Sequence, residues 1–227
     1  MQLLLKYFQD VRLKGNIYWV LFLRLLLAML LFTLCRIGFY LYNTSYFPEM
    51  TGSHFLRILW GGLRFDMTAV LYINLLLILL TLIPFDFRFT PLYQSILKYL
   101  FYILNGIGIA ANLADFIYYK FTLRRTTADF FTEFEEGPGA GGLFFRFVVD
   151  YWYVTIFAVG IYWLMVFLYN KTIVRGPMIK NRIVYYSAGV LTIPLIAYLF
   201  IGGVRGGFKH STRPITLSNA GEYVKFP

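Results

Sequence analysis

Long apolar runs alternate with short polar breaks along this chain, and the lengths of the runs decide its class. A helix needs roughly 20 apolar residues to cross a bilayer. Five runs reach or approach that length: 18–42 ("YWVLFLRLLLAMLLFTLCRIGFYLY"), 67–85, 99–119, 152–170 and 183–204. Tyr, Trp and Phe crowd the ends of these runs, as side chains anchored at a membrane interface do. The pattern predicts an all-α fold, a polytopic membrane protein with about five transmembrane helices filling residues 1–204. Residues 205–227 leave the last apolar run and turn polar. Pro194 predicts a kink in the fifth helix, which membrane helices tolerate. Residues 1–17 mix apolar positions with Lys6, Asp10, Arg12 and Lys14, and suit a short interfacial helix or a frayed tail equally. In the break at 120–149 the first half suits a helix near the interface, and "GPGAGG" then ends it.

Composition agrees with the pattern. Of 227 residues, 59% are hydrophobic and only 14% charged, against about a quarter charged in soluble domains. The formal net charge of +10 would point to nucleic acid in a soluble protein. Here the basic residues flank the apolar runs, so membrane lipids, anionic phospholipid in particular, are the implied partner, and nucleic acid is not. Cys35 is the only cysteine, which excludes an internal disulfide and a cysteine-based metal site. No segment has the layout of a cleaved signal peptide.

Five crossings put the two ends on opposite sides. With the N-terminus inside, nine Lys and Arg fall on that side and ten on the other, so the raw count does not orient the chain. The loop "NKTIVRGPMIKNR" has four basic residues and no acid, and reads as cytoplasmic. The N-terminus is therefore expected inside and the C-terminus outside.

Under that topology several charges share the outer depth band: Arg36 in the first helix, Arg64 and Asp66 in "GGLRFD", Asp115 in "NLADF", Arg124 and Arg125 after the third helix, and Arg205 after the fifth. Charge inside a membrane is costly unless paired or hydrated. One reading is a set of ion pairs that pins the bundle. The sharper one is that some arginines hold a lipid phosphate, because guanidinium matches phosphate in a bidentate way. On the third helix, Asn105, Asn112 and Asp115 recur at spacings of seven and three, which makes a polar stripe on one face. Interhelical hydrogen bonding is the plain reading, with Asn74 as a conceivable partner; a polar path is the alternative. Gly106, Gly108, Ala110, Ala111 and Ala114 beside the stripe permit close helix contact. Arg24 is placed to snorkel toward the inner interface. His54 and His210 have no ligand neighbours at useful spacing, and "NTS" at 43–45 matches a glycosylation sequon without a setting that supports it. No nucleophile with a base, carboxylate-rich divalent site or phosphate loop is legible, so the chain by itself is expected to be inert, with no metal or catalytic residue and no cofactor of its own.

Three segments carry a resemblance: "GGLRFD" at 61–66, "NLADFIYYKFTLRRTTADFF" at 112–131, and "RGG" at 205–207 followed by "RPITLSNAGEYV" at 213–224. In order and in placement relative to five helices they resemble the membrane part of bacterial lipoteichoic-acid-synthase-like proteins, of the sulfatase and alkaline-phosphatase superfamily, in a form similar to that of Bacteroidetes. The resemblance implies a five-helix anchor in the bacterial inner (cytoplasmic) membrane, followed by a linker, of which residues 205–227 would be the start, and an extracytoplasmic catalytic domain. That domain is an α/β fold with a threonine or related nucleophile and a divalent metal, commonly manganese. It acts as a phosphoglycerol or phosphoethanolamine transferase or as a sulfatase. Its catalytic groups have no counterparts in this chain, which is therefore expected to be the anchor without its enzyme. The matching residues include Arg64, Asp66, Asn112, Asp115, Arg124, Arg125, Asp129, Arg205, Gly206 and Arg213. The resemblance assigns them to packing, to support of a lipid headgroup, or to the junction with the protein's own catalytic domain. Two rival readings stay open: a small stand-alone membrane protein, such as a transporter subunit or assembly factor, and a fragment of another lipid-modifying enzyme, for which His54 with Glu49 is poor material.

Overall fold

The computed structural model describes residues 13–122, 149–176 and 181–208. Among them are six α-helices: α1 (Ile17–Tyr42), α2 (Gly52–Ile73), α3 (Leu75–Leu82), α4 (Pro91–Thr122), α5 (Trp152–Asn170) and α6 (Arg182–Arg205). Two short strands, β1 (Leu13–Gly15) and β2 (Thr172–Val174), pair in parallel, Leu13 opposite Thr172 and Gly15 opposite Val174. The chain is an all-α polytopic membrane protein. Helices α1, α4, α5 and α6 are each long and apolar enough to cross a bilayer, and α2 with α3 makes a fifth, bent span.

Local signals set the helix ends. Asn16 caps α1, its Oδ1 accepting the Trp19 N–H at 2.7 Å. Thr51 caps α2 through the His54 N–H, and Asn181 caps α6 through the Ile183 N–H. At the other end of α1, Asn43 donates its side-chain amide to the carbonyls of Phe39 and Phe116 and is fully buried. The sequon at 43–45 thus begins on a helix cap inside the bundle, where no glycan fits.

The first, fourth and fifth spans lie where the apolar runs put them, the fourth residue for residue. The second does not. Expected at 67–85, it begins at Gly52 and breaks at Asn74 with a bend of 59°. The helix extends back past the apolar window because Thr51 caps it and Asp66, polar but buried, faces protein rather than lipid. The break follows from the Asn74 side chain, which competes for the Val70 carbonyl with its own backbone N–H, at 2.9 and 3.0 Å. Pro84 then restricts Ile83 and ends α3 early. The third span, expected at 99–119, runs from Pro91 to Thr122. Pro91 suits a first helical position, and Thr90 Oγ1 accepts the Tyr93 N–H. Its 32 residues make it about 48 Å long, well beyond the bilayer's hydrocarbon core. Helix α6 runs unbroken through Pro194. Residues 13–15, read from sequence as helix or tail, form a strand, because β2 lies alongside and takes up their backbone groups: Leu13 N–H donates to Lys171 O, and Arg175 N–H to Gly15 O.

Side chains of α1, α3, α4 and α5 meet in one apolar core, with Leu31, Leu77, Leu97, Phe101 and Met165 almost wholly enclosed. Many large apolar side chains lie outside it, among them Trp60, Ile156, Trp163 and Leu191. A surface this apolar is at rest in lipid, where no hydrophobic penalty attaches to it. The spans alternate in direction. One end of the bundle, called here the strand end, gathers β1, β2, the start of α1 and the loop of Arg88; the far end gathers Tyr42, Lys120 and Tyr153, with the Tyr42 and Tyr153 hydroxyls 2.7 Å apart.

Candidate functional site

Of the charges expected in the outer depth band, Arg36 and Asp66 form an ion pair toward the far end. Arg36 of α1 donates through Nη2 to Asp66 Oδ1 of α2 at 2.5 Å and to the Gly62 carbonyl at 3.3 Å. Gly62 makes room for this: a Cβ there would lie 2.5 Å from the guanidinium carbon. Two residues on from Asp66, Thr68 of α2 donates to the carbonyl of Val204 at 3.3 Å, which ties α6 to the same end. Cys35, next to Arg36, is buried and free. Asp115 is buried on α4, whereas Arg64 is exposed on α2. Arg205 is exposed at the last turn of α6, which Gly206 ends in the left-handed conformation, φ 69°. Arg124, Arg125, Asp129 and Arg213, together with most of the 205–227 segment, lie outside the described residues.

The polar stripe of α4 reaches a second helix at Asn105. Asn105 is fully buried and exchanges two hydrogen bonds with Asn74: Asn74 Nδ2 to Asn105 Oδ1 at 3.0 Å, and Asn105 Nδ2 to Asn74 Oδ1 at 2.8 Å. Asn112, seven residues on, donates within its own helix to the Gly108 carbonyl. The interhelical reading therefore holds at Asn105, with Asn74 as its partner.

Two buried arginines sit at the strand end, and neither was evident as such in the sequence. Arg88 is 2% exposed. Its Nη1 reaches the carbonyls of Thr81 and Ile83 and the Tyr18 hydroxyl, at 3.4–3.5 Å, while the rings of Tyr18, Phe89 and Tyr185 flank its guanidinium. A cation is thus held by carbonyl dipoles and π faces drawn from three parts of the chain. The only sequence signal was a lone arginine among aromatics in "PFDFRFTP". Arg24, expected to snorkel to water, is instead 7% exposed. Its guanidinium stacks on the Tyr169 ring, 4.1 Å from the centroid, and its Nε donates to Thr172 Oγ1.

Arg36 with Asp66, Asn74 with Asn105, and Arg88 in its aromatic cage each join separate helices with their polar groups turned toward one another. Such contacts fix a bundle; none offers a nucleophile beside a base. The metal that the family resemblance implies has no donor set here: no three His, Cys, Asp or Glu side chains gather among the described residues. The far end offers instead an interfacial rim, with Lys120 Nζ 3.9 Å above the Tyr42 ring and Tyr46 edge-on to Tyr119. No protein-family model, curated protein or solved structure matches this chain.

Proposed function

We propose that the chain is the membrane anchor domain of a phosphoglycerol or phosphoethanolamine transferase-like or sulfatase-like enzyme of a bacterial inner membrane, with the strand end cytoplasmic and the far end extracytoplasmic. The observation that carries the reading is convergence. The segments on which the resemblance rests are far apart in sequence, yet Asp66, Asp115 and Arg205 all belong to the half of the bundle tied together by Arg36–Asp66, Thr68–Val204 and Asn43–Phe116. In an anchor this is the half that faces a catalytic domain and its lipid substrate. The static polar pairs support the same reading, since an anchor must hold its partner at one height and one angle.

A divalent metal, commonly manganese, belongs to the catalytic domain in this reading and not to the residues described here. The test has two parts. Alkaline phosphatase fused after Phe208 should be active and a fused green fluorescent protein dark; the reverse pattern overturns the orientation. Membranes from cells expressing the gene's whole reading frame should, with manganese, release product from labelled phosphatidylglycerol, phosphatidylethanolamine or an aryl sulfate. Turnover of none of the three overturns the enzyme assignment.

A further inference from the structure

At the strand end, away from the band just discussed, an open crevice of about 330 Å³ lies between α1, the first turns of α4, the end of α5 and β2. Arg24, 7% exposed, is among the residues that line it. Only one of that guanidinium's donors is engaged, Nε with Thr172, and no carboxylate partners it among the described residues. A guanidinium presents five N–H donors, so most are left to the crevice. Lys98 lies on the same wall, its ammonium 5.1 Å from the Tyr99 ring centroid, and it too has no acidic partner among the described residues. Ser95 and Asn170 add a hydroxyl and an amide donor.

A buried cation is costly unless it is paired, hydrogen-bonded or hydrated. Arg88, at the same end, donates through Nη1 to two carbonyls and lies among three rings. Arg24 has one ring and one hydroxyl, and it opens on a cavity that holds a second cation. We propose that this crevice binds a phosphate anion, with the Arg24 fork on two phosphate oxygens and Lys98 on a third. The depth of the site favours the phosphate of an anionic lipid. Leu92, Ile96 and Tyr99 on the same turns of α4 are exposed, so acyl chains can lie along that helix while the headgroup enters between the spans.

The purified full chain in neutral detergent is titrated with short-chain phosphatidylglycerol, short-chain phosphatidylcholine and inorganic phosphate, and adducts are counted by native mass spectrometry. Phosphatidylglycerol should bind at least tenfold more tightly than phosphatidylcholine and be displaced by inorganic phosphate. Binding of inorganic phosphate without a lipid preference would assign the same chemistry to a free phosphate. Lys98→Gln, which leaves the buried arginine in place, should weaken binding about fivefold. Arg24→Lys keeps the charge but loses the fork, and should weaken it about tenfold. Arg175→Gln, an exposed cation at the same end, should change nothing. Absence of binding by either anion overturns the proposal, as does an equal loss in the Arg175 and Lys98 variants, which would mean general surface charge.

Discussion

Asn74 and Asn105 hold each other by two amide hydrogen bonds at the point where the second span bends. Each also donates to the carbonyl four residues back in its own helix, so both amides are used on both sides. The pair fixes the rotation of α4 against the bend of the second span. Interhelical hydrogen bonds in membranes contribute about 1 kcal/mol. Asn74→Ala and Asn105→Ala should each lower stability by roughly that amount or somewhat more, since each leaves a buried amide short of a partner. The double variant should cost less than the two losses added together. Unfolding by denaturing detergent, run as a double-mutant cycle, reads the difference; strict additivity would mean that the two amides are not coupled.

Arg36 and Asp66 should be less forgiving. Removing one partner of a buried ion pair leaves the other charge uncompensated and typically costs about 3–5 kcal/mol. Arg36 is partly exposed, with a side-chain accessibility of 20% against 7% for Asp66, so Asp66→Ala should sit at the lower end of that range and Arg36→Ala at the upper. Gly62→Ala should reproduce much of the loss without touching either charge, because the new methyl takes the place of the guanidinium. Thermal unfolding in detergent separates these outcomes from a surface pair worth under about 1 kcal/mol.

Arg88→Ala is expected to loosen the strand end by about 2–3 kcal/mol, through lost π contacts and two stranded carbonyls. Arg88→Lys should recover only part, since a single ammonium cannot face three rings and reach both carbonyls. Limited proteolysis beside Arg88 offers a local readout: cleavage should rise for both variants, and more for alanine.

Cys35 supplies a probe of the packed state. It is 1% exposed and sits beside the Arg36–Asp66 pair. Maleimide labelling in mild detergent should be slow, and should become fast in Gly62→Ala or Asp66→Ala if the pair keeps α1 seated against α2. Equal labelling rates in all three proteins would detach the packing of Cys35 from the ion pair.

What the sequence revealed depended on how far each signal reaches. Helix α5 is uniformly apolar from Trp152 to the residue before Asn170, so its window and its helix coincide. Helix α2 is not: its first half carries His54 and Arg57, Arg64 and Asp66 follow, and a hydropathy window stops where the helix does not. The Asn74–Asn105 contact was foreseeable as a possibility because both amides interrupt apolar runs, but only packing selects one partner from several. Arg88 escaped notice for another reason. It lies in a polar break, where arginine is ordinary, and its burial is created by Tyr18 and Tyr185, about 70 and 100 residues away in sequence. Arg24 was misjudged in the same way, because the snorkelling expectation counts its own helix and not Tyr169 or Thr172.

The pairing of β1 with β2 also sets an order of events. Leu13 meets Thr172 only after the ribosome has delivered α5, the fourth span, more than 150 residues later. Until then α1 waits in the bilayer with Arg24 lacking both its stacking ring and its hydroxyl partner, since Tyr169 and Thr172 arrive together. A nascent α1 must therefore keep that guanidinium near water, and sink it only as α5 closes over it. The pairing of β1 with β2 and the burial of Arg24 therefore cannot be completed before residue 172 has emerged, whereas the far end waits longer still, for Val204 of α6 to reach Thr68.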